Sequence, residues 1–139
     1  MTKTAASVGL AMLFTTACAM AQHSAPHGTA PEPKVTPLLL KELADIPGKE
    51  ALMITVDYPP GGADPVHRHD AHGFIYVLQG SIVMGVKGGK EVTLKPGDTF
   101  YEGPNDIHTV GRNASQTKPA RFVVMLVKNK GAEAVLLVN

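Results

Sequence analysis

The stretch 61–80, GGADPVHRHDAHGFIYVLQG, leaves this chain little choice of local structure. Pro59, Pro60, Gly61, Gly62 and Pro65 punctuate its entry, and backbone of that kind turns and starts a new strand. FIYVL is rich in aromatic and β-branched residues and reads as strand, closed by a turn at Gln79-Gly80. His67 and His69 are two apart, so on extended backbone both imidazoles point to one face.

The chain on either side follows the same grammar. LLLKEL over 38–43 predicts a first strand, turned by Pro47-Gly48, and EALMITVDY over 50–58 predicts a second. In SIVMGVK, over 81–87, Ile82, Met84 and Val86 alternate with Ser81, Gly85 and Lys87, with Val83 the exception, which predicts one inward face and one mostly outward. Gly88-Gly89 then marks a two-residue hairpin. EVTL and the turn at 95–98 follow. ARFVVMLVK over 120–128 is apolar on both faces at its centre, which predicts cover on both sides, and 133–138 offers a last strand. Phe74, Tyr76, Phe100, Phe122, Met84 and Met125 are expected in the core. Strands at this density without a helical period argue for a small all-β barrel or sandwich.

A second block, GDTFYEGPNDIHTVGRN over 97–113, repeats the logic of the first: turn glycine, short strand, Gly-Pro turn, then a histidine, His108, entering another strand. Together the blocks resemble the two motifs of the cupin superfamily over roughly residues 35 to 128. Gly61, His67, His69 and Gly80 fall on the first motif, and Gly97, Pro104, His108 and Asn113 on the second. Two departures stand out. The motif glutamate falls on Gly73, and Asp106 replaces a glycine, with spacings around Pro104 and His108 that differ by a residue. The resemblance implies a double-stranded β-helix, the cupin jelly-roll barrel, occupying 38–139.

The ends of the chain carry different signals. Residues 1–21 read as a secretory signal peptide: Lys3, a short apolar run over 8–14, and Ala19-Met20-Ala21 as a small-x-small cleavage site. The apolar run falls short of the roughly 20 residues a membrane span needs. Cleavage after Ala21 implies a periplasmic or secreted protein with no membrane attachment. It also removes Cys18, the chain's single cysteine, so the barrel is expected to stand without disulfides. Polar, proline-rich 22–37 reads as a disordered leader in which His23 and His27 are solvated. Acidic and basic residues nearly balance and no basic stretch occurs, which argues against a nucleic-acid partner. Phosphate-loop glycines and a nucleophile elbow are also absent from the sequence.

Inward side chains of a closed barrel converge. His67, His69 and His108 meeting at one point would suit a single divalent transition metal, whether Fe, Mn, Ni, Zn or Cu, and would leave positions open for a ligand. With Gly73 offering no carboxylate, such an ion keeps its full charge and favours an anionic oxygen ligand such as an enolate, phenolate or carboxylate. Two residues are candidates for a fourth ligand. His72 faces away from His69 by parity unless a bulge at Asp70-Ala71 turns it inward. Glu102 ends its strand just before Gly103-Pro104, and is a candidate ligand, hydrogen-bond acceptor for an imidazole N–H, or general base. Arg68, between two inward histidines, is expected outside. Arg112 is expected at the surface or facing an anion at the cavity mouth. Asn113-Ala114-Ser115 matches a glycosylation sequon that carries no information in a chain with a bacterial-looking signal.

Three functions fit these residues. The first is an enzyme acting on a small anionic or enolisable molecule; the resemblance adds iron-dependent dioxygenases as a precedent. The second is a non-catalytic cupin that holds a metal or small ligand. The third is a barrel kept for its dimer interface. The apolar 38–43 strand suits an edge, and the resemblance implies a homodimer built on it.

Overall fold

The computed structural model describes residues 29–138. The expected signal peptide, its cleavage site, Cys18, His23 and His27 lie outside them. Ten strands, and no helix among the described residues, run in chain order: β1 (Lys34–Glu42), β2 (Lys49–Tyr58), β3 (His67–Arg68), β4 (His72–Gln79), β5 (Ile82–Val86), β6 (Val92–Leu94), β7 (Thr99–Glu102), β8 (His108–Asn113), β9 (Ala120–Asn129) and β10 (Leu136–Leu137). They form two antiparallel five-stranded sheets, ordered β1-β2-β9-β4-β7 and β10-β3-β8-β5-β6. The fold is all-β and of the double-stranded β-helix type that the motifs imply.

Each sheet turns one face inward. Along β9, Ala120, Phe122, Val124, Leu126 and Lys128 are buried in strict alternation, and β4 buries Gly73, Ile75 and Val77. With Ile54, Val56 and Tyr58 of β2 and Ile82 and Met84 of β5 they make one core. Gly80 has φ +71°, and a Cβ there would sit 2.6 Å from the Pro119 carbonyl oxygen, so only glycine closes β4 at this corner.

Several expectations are corrected. Phe74 and Tyr76 lie on the outer face of β4, nearly half exposed, because parity with Gly73 and Ile75 overrides their apolar character. Val123, Met125 and Val127 share that outer face of the sheet and are only half-buried, so β9 is not covered on both sides. Along β5, Val83 and Gly85 are buried as well as Ile82 and Met84. The first strand begins at Lys34, four residues inside the expected leader. Val35 and Thr36 favour strand, and Pro37 is tolerated because β1 pairs on one side only and its register slips between Pro37 and Leu39.

A buried ion pair ties the far ends of β2 and β9. Lys128 Nζ donates to Glu50 Oε1 and, at 2.6 Å, to the Ala132 carbonyl, while Gly131 N donates to the same Glu50 oxygen at 3.1 Å.

Candidate metal centre

His67 on β3 and His108 on β8 are direct cross-strand partners, and their ring centroids lie 4.9 Å apart. Opposed residues in an antiparallel pair present their side chains to the same face. His69, just past the end of β3, brings a third ring to 4.7 Å from that of His67. One ring nitrogen from each of the three histidines falls within 4.8 Å of the others, so the three could coordinate one metal ion.

The hydrogen bonds around the rings fix how they face. His67 Nδ1 donates to the Pro65 carbonyl at 2.8 Å, and His69 Nδ1 donates to the Ala134 carbonyl at 2.6 Å. A carbonyl can only accept, so both rings, when neutral, carry their proton on Nδ1. Their Nε2 lone pairs then face each other at 3.2 Å, a repulsive arrangement that a cation between them relieves. His108 is 3 % exposed, and neither of its ring nitrogens has a hydrogen-bond partner. Its Nδ1 has the Glu102 carboxyl 3.2 Å away without a well-formed hydrogen bond, its Nε2 has no partner, and a buried nitrogen left so is costly. The residues present therefore fit a divalent metal.

Glu102, at the end of β7, stands opposite Gly73 of β4. Its carboxylate lies 3.2 Å from His108 Nδ1 and 3.4 Å from His69 Nε2. A Cβ built on Gly73 would lie 3.6 Å from Glu102 Cβ and 3.4 Å from Leu126 Cδ2, so Glu102 comes in beside the position where the cupin motif has its glutamate. His72 goes the other way. It is exposed on the outer face of β4, its Nδ1 2.8 Å from the Tyr101 hydroxyl and its ring stacked on Tyr101. Asp70 does adopt a positive φ of 46°, but this bend leaves His72 outside the histidine group.

Burial sets the electrostatics. It pushes the Glu102 carboxyl up to about 7, with further push from Asp64 and Asp106. Burial pulls His108 down to about 4, helped by His67 and His69, and lowers His69 in the same way. A bound cation reverses this for the carboxylate by favouring its charged form.

A second buried pair adjoins the histidines, and sequence reasoning missed it. The Tyr58 hydroxyl donates to Asp64 Oδ2. Burial raises Asp64, and raises Tyr58 well above the usual phenol range. A Cβ on Gly111 would lie 2.7 Å from Asp64 Oδ2 and 3.0 Å from both His108 Cε1 and the Tyr58 hydroxyl, so all three crowd one glycine. The only signal is Asp64 itself, an acidic residue three before His67 within the proline- and glycine-rich entry to that stretch.

The remaining motif residues are structural. Asn113 Nδ2 donates to the Pro59 and Lys118 carbonyls at 3.0 and 2.8 Å, and its Oδ1 accepts from Ser115 N at 2.9 Å. Buried and fully engaged, it anchors two loops and presents no free amide for a glycan. Asp106 Oδ2 accepts from Gly103 N at 2.7 Å and holds the turn that delivers His108. Arg68 is exposed and pairs with Asp70, and Arg112 is exposed 3.6 Å from Glu91.

The chain belongs to the cupin domain family, whose profile matches residues 54–126. Over 62 residues it is 34 % identical to the pectin degradation protein KdgF of Dickeya dadantii; the match takes in 44 % of this chain and 56 % of that protein, so the chain spans little more than half its relative's length. A conserved double-stranded β-helix protein from Klebsiella pneumoniae superposes with a TM-score of 0.62 at 19 % identity, over 78 % of this chain and 85 % of that one. Oxalate oxidase in complex with the substrate analogue glycolate superposes with a TM-score of 0.59 at 26 % identity, over 83 % of this chain and 57 % of that one.

Proposed function

We propose that this cupin is a metal-dependent enzyme of the periplasm or extracellular space. It holds one divalent ion through His67, His69, His108 and Glu102, and acts on a small enolisable or anionic molecule by dioxygenase-type chemistry. The observation that carries the reading is the pair of Nε2 lone pairs turned on each other at 3.2 Å beside an unpartnered buried His108. The similarity to oxalate oxidase and to a pectin degradation protein supports a small-molecule substrate. The apolar run and the Ala19-Met20-Ala21 site support export. Edge strand β1, with Val35, Leu38, Leu39 and Leu40 exposed, supports pairing with a second copy.

Iron is the leading ion, and it would supply Lewis acidity and a route for electrons to dioxygen. The chain's own residues do the rest. The Pro65 and Ala134 carbonyls hold two imidazoles in the ligating tautomer. Glu102 offsets one of the two metal charges. The buried wall of Ile54, Val56, Phe122 and Val124 excludes water from the substrate. In the second reading the same site holds a ligand without turnover.

Metal analysis of protein purified without a histidine tag, beside the His67→Ala/His69→Ala variant, tests the site. We expect near-stoichiometric metal in the first and little in the second; equal content removes both readings. Oxygen uptake by iron-loaded protein with enols, diketones and flavonols then separates enzyme from binder.

A further inference from the structure

We propose that the ligand of this site, taking the metal reading above as given, is a predominantly apolar molecule with one oxygen-donor head, and is neither a sugar acid nor a small dicarboxylate. The cavity that holds the histidines measures about 300 Å³. Its polar lining consists of Asp64, His67, His69, Glu102 and His108. The other lining residues are aliphatic, aromatic or proline, and among the described residues no lysine, arginine, serine, threonine, asparagine or glutamine reaches it. Leu52, Ile54, Val56, Met84, Phe122 and Val124 form its walls, and the exposed Val35, Pro37 and Val135 its rim.

All of these polar residues except His108, which the metal would take, are also already engaged. The Nδ1 protons of His67 and His69 go to backbone carbonyls, Asp64 accepts from Tyr58, and Glu102 faces two imidazoles. A ligand hydroxyl turned toward the walls finds no partner, and each one buried in that way weakens binding roughly tenfold. Charge points the same way. Glu102 leaves a bound divalent ion with one net positive charge, enough for one enolate, phenolate or carboxylate. A second carboxylate would meet no cation and would lie in the same cavity as Asp64. Since a water molecule takes about 30 Å³ of liquid, the cavity holds roughly ten non-hydrogen atoms, the size of a substituted benzene ring or a short branched chain.

Hydroxamates keep one chelating head while the body varies. Isothermal titration of zinc-loaded full-length protein with acetohydroxamate, butanohydroxamate, hexanohydroxamate and benzohydroxamate, beside oxalate and galacturonate, tests the inference. We expect affinity to rise about fourfold per added methylene until the cavity fills. Benzohydroxamate should bind at least tenfold more tightly than acetohydroxamate, and oxalate and galacturonate more weakly than either. Leu52→Gln should flatten the series at unchanged zinc content, and Val56→Thr serves if that variant does not fold. A flat series on zinc-replete protein, or oxalate or galacturonate binding best, overturns the inference and leaves the metal reading standing. Protein that takes up no zinc overturns both, and its metal content shows this before any hydroxamate is added.

Discussion

Gly73 and Glu102 are cross-strand partners on β4 and β7, and the carboxylate of the second lies within 3.4 Å of two of the three clustered imidazoles. The cupin motif carries its carboxylate on one strand; here Glu102, on the strand next to it, brings a carboxylate beside the histidines. If the site needs the charge and not the position, the two residues should be interchangeable. Glu102→Gly should weaken metal binding about 10- to 100-fold in a chelator competition. Adding Gly73→Glu to that variant should recover most of the loss, because the Cβ of residue 73 meets only ordinary contacts.

The pH dependence of the metal-free protein follows from two opposed groups. Glu102 is raised to about 7, so its contribution to stability is present below its unfolded value and is lost as pH rises through 7. His108 is lowered to about 4, so the native state resists a proton that the unfolded chain accepts, and stability is lost as pH falls from about 6.5 toward 4. The windows overlap and the signs oppose, so the melting temperature of metal-free protein should change little between about pH 4.5 and 6.5. Glu102→Gln removes one side of the balance. That variant should lose up to about 3 kcal/mol on acidification across the His108 window, measured by denaturant titration at a series of pH values.

Metal binding should release protons for the same reason. At pH 6 Glu102 is mostly protonated in the metal-free protein. Loading zinc then displaces close to one proton, read from the dependence of the binding heat on buffer ionisation enthalpy. Glu102→Gln should abolish most of that release.

Gly111 carries the packing of the site. A methyl group there collides with Asp64, His108 and Tyr58 together. Gly111→Ala should destabilise the fold by about 2 kcal/mol, as overpacking of a closed core does. It should also weaken metal binding, because His108 is among the groups displaced. A variant with unchanged stability and metal affinity would mean that these three side chains do not crowd residue 111.

How much of this was legible in the chain depends on the range of the interaction. The shared face of His67 and His69 follows from a period of two and needs only local extension. The arrival of His108 was legible because its block repeats the turn-strand-turn grammar of the first. The role of Glu102 was not, since residues 73 and 102 become neighbours only once the β4–β7 register is set. Tyr58 and Asp64 meet because the chain doubles back through 59–63, and a turn reads the same whether its aspartate faces water or a cavity. Phe74 and Tyr76 were misplaced by weighing side-chain type above parity, although Gly73, Ile75 and Val77 already gave the phase of the strand.

The Glu50–Lys128 pair lies among residues that read simply as strand, and it makes a separate prediction. Lys128, 4 % exposed, ends the inward row of β9 with a charge, held by Glu50 and the Ala132 carbonyl. The Lys128 ammonium and the Gly131 N–H hold the Glu50 carboxyl below its usual range. A depressed carboxyl stabilises above its unfolded value, and that stability is lost as pH falls through the folded one. Glu50→Gln should therefore lower the melting temperature at pH 7, where it leaves a buried ammonium without its counter-charge, and narrow the gap to wild type in acid. Replacing both partners, as Glu50→Leu/Lys128→Met, removes the buried charge altogether and should cost less at pH 7 than the single substitution. Thermal melts of the three proteins at pH 7 and pH 3 decide it: a double variant less stable than Glu50→Gln would mean that the pair contributes through geometry that apolar side chains do not replace.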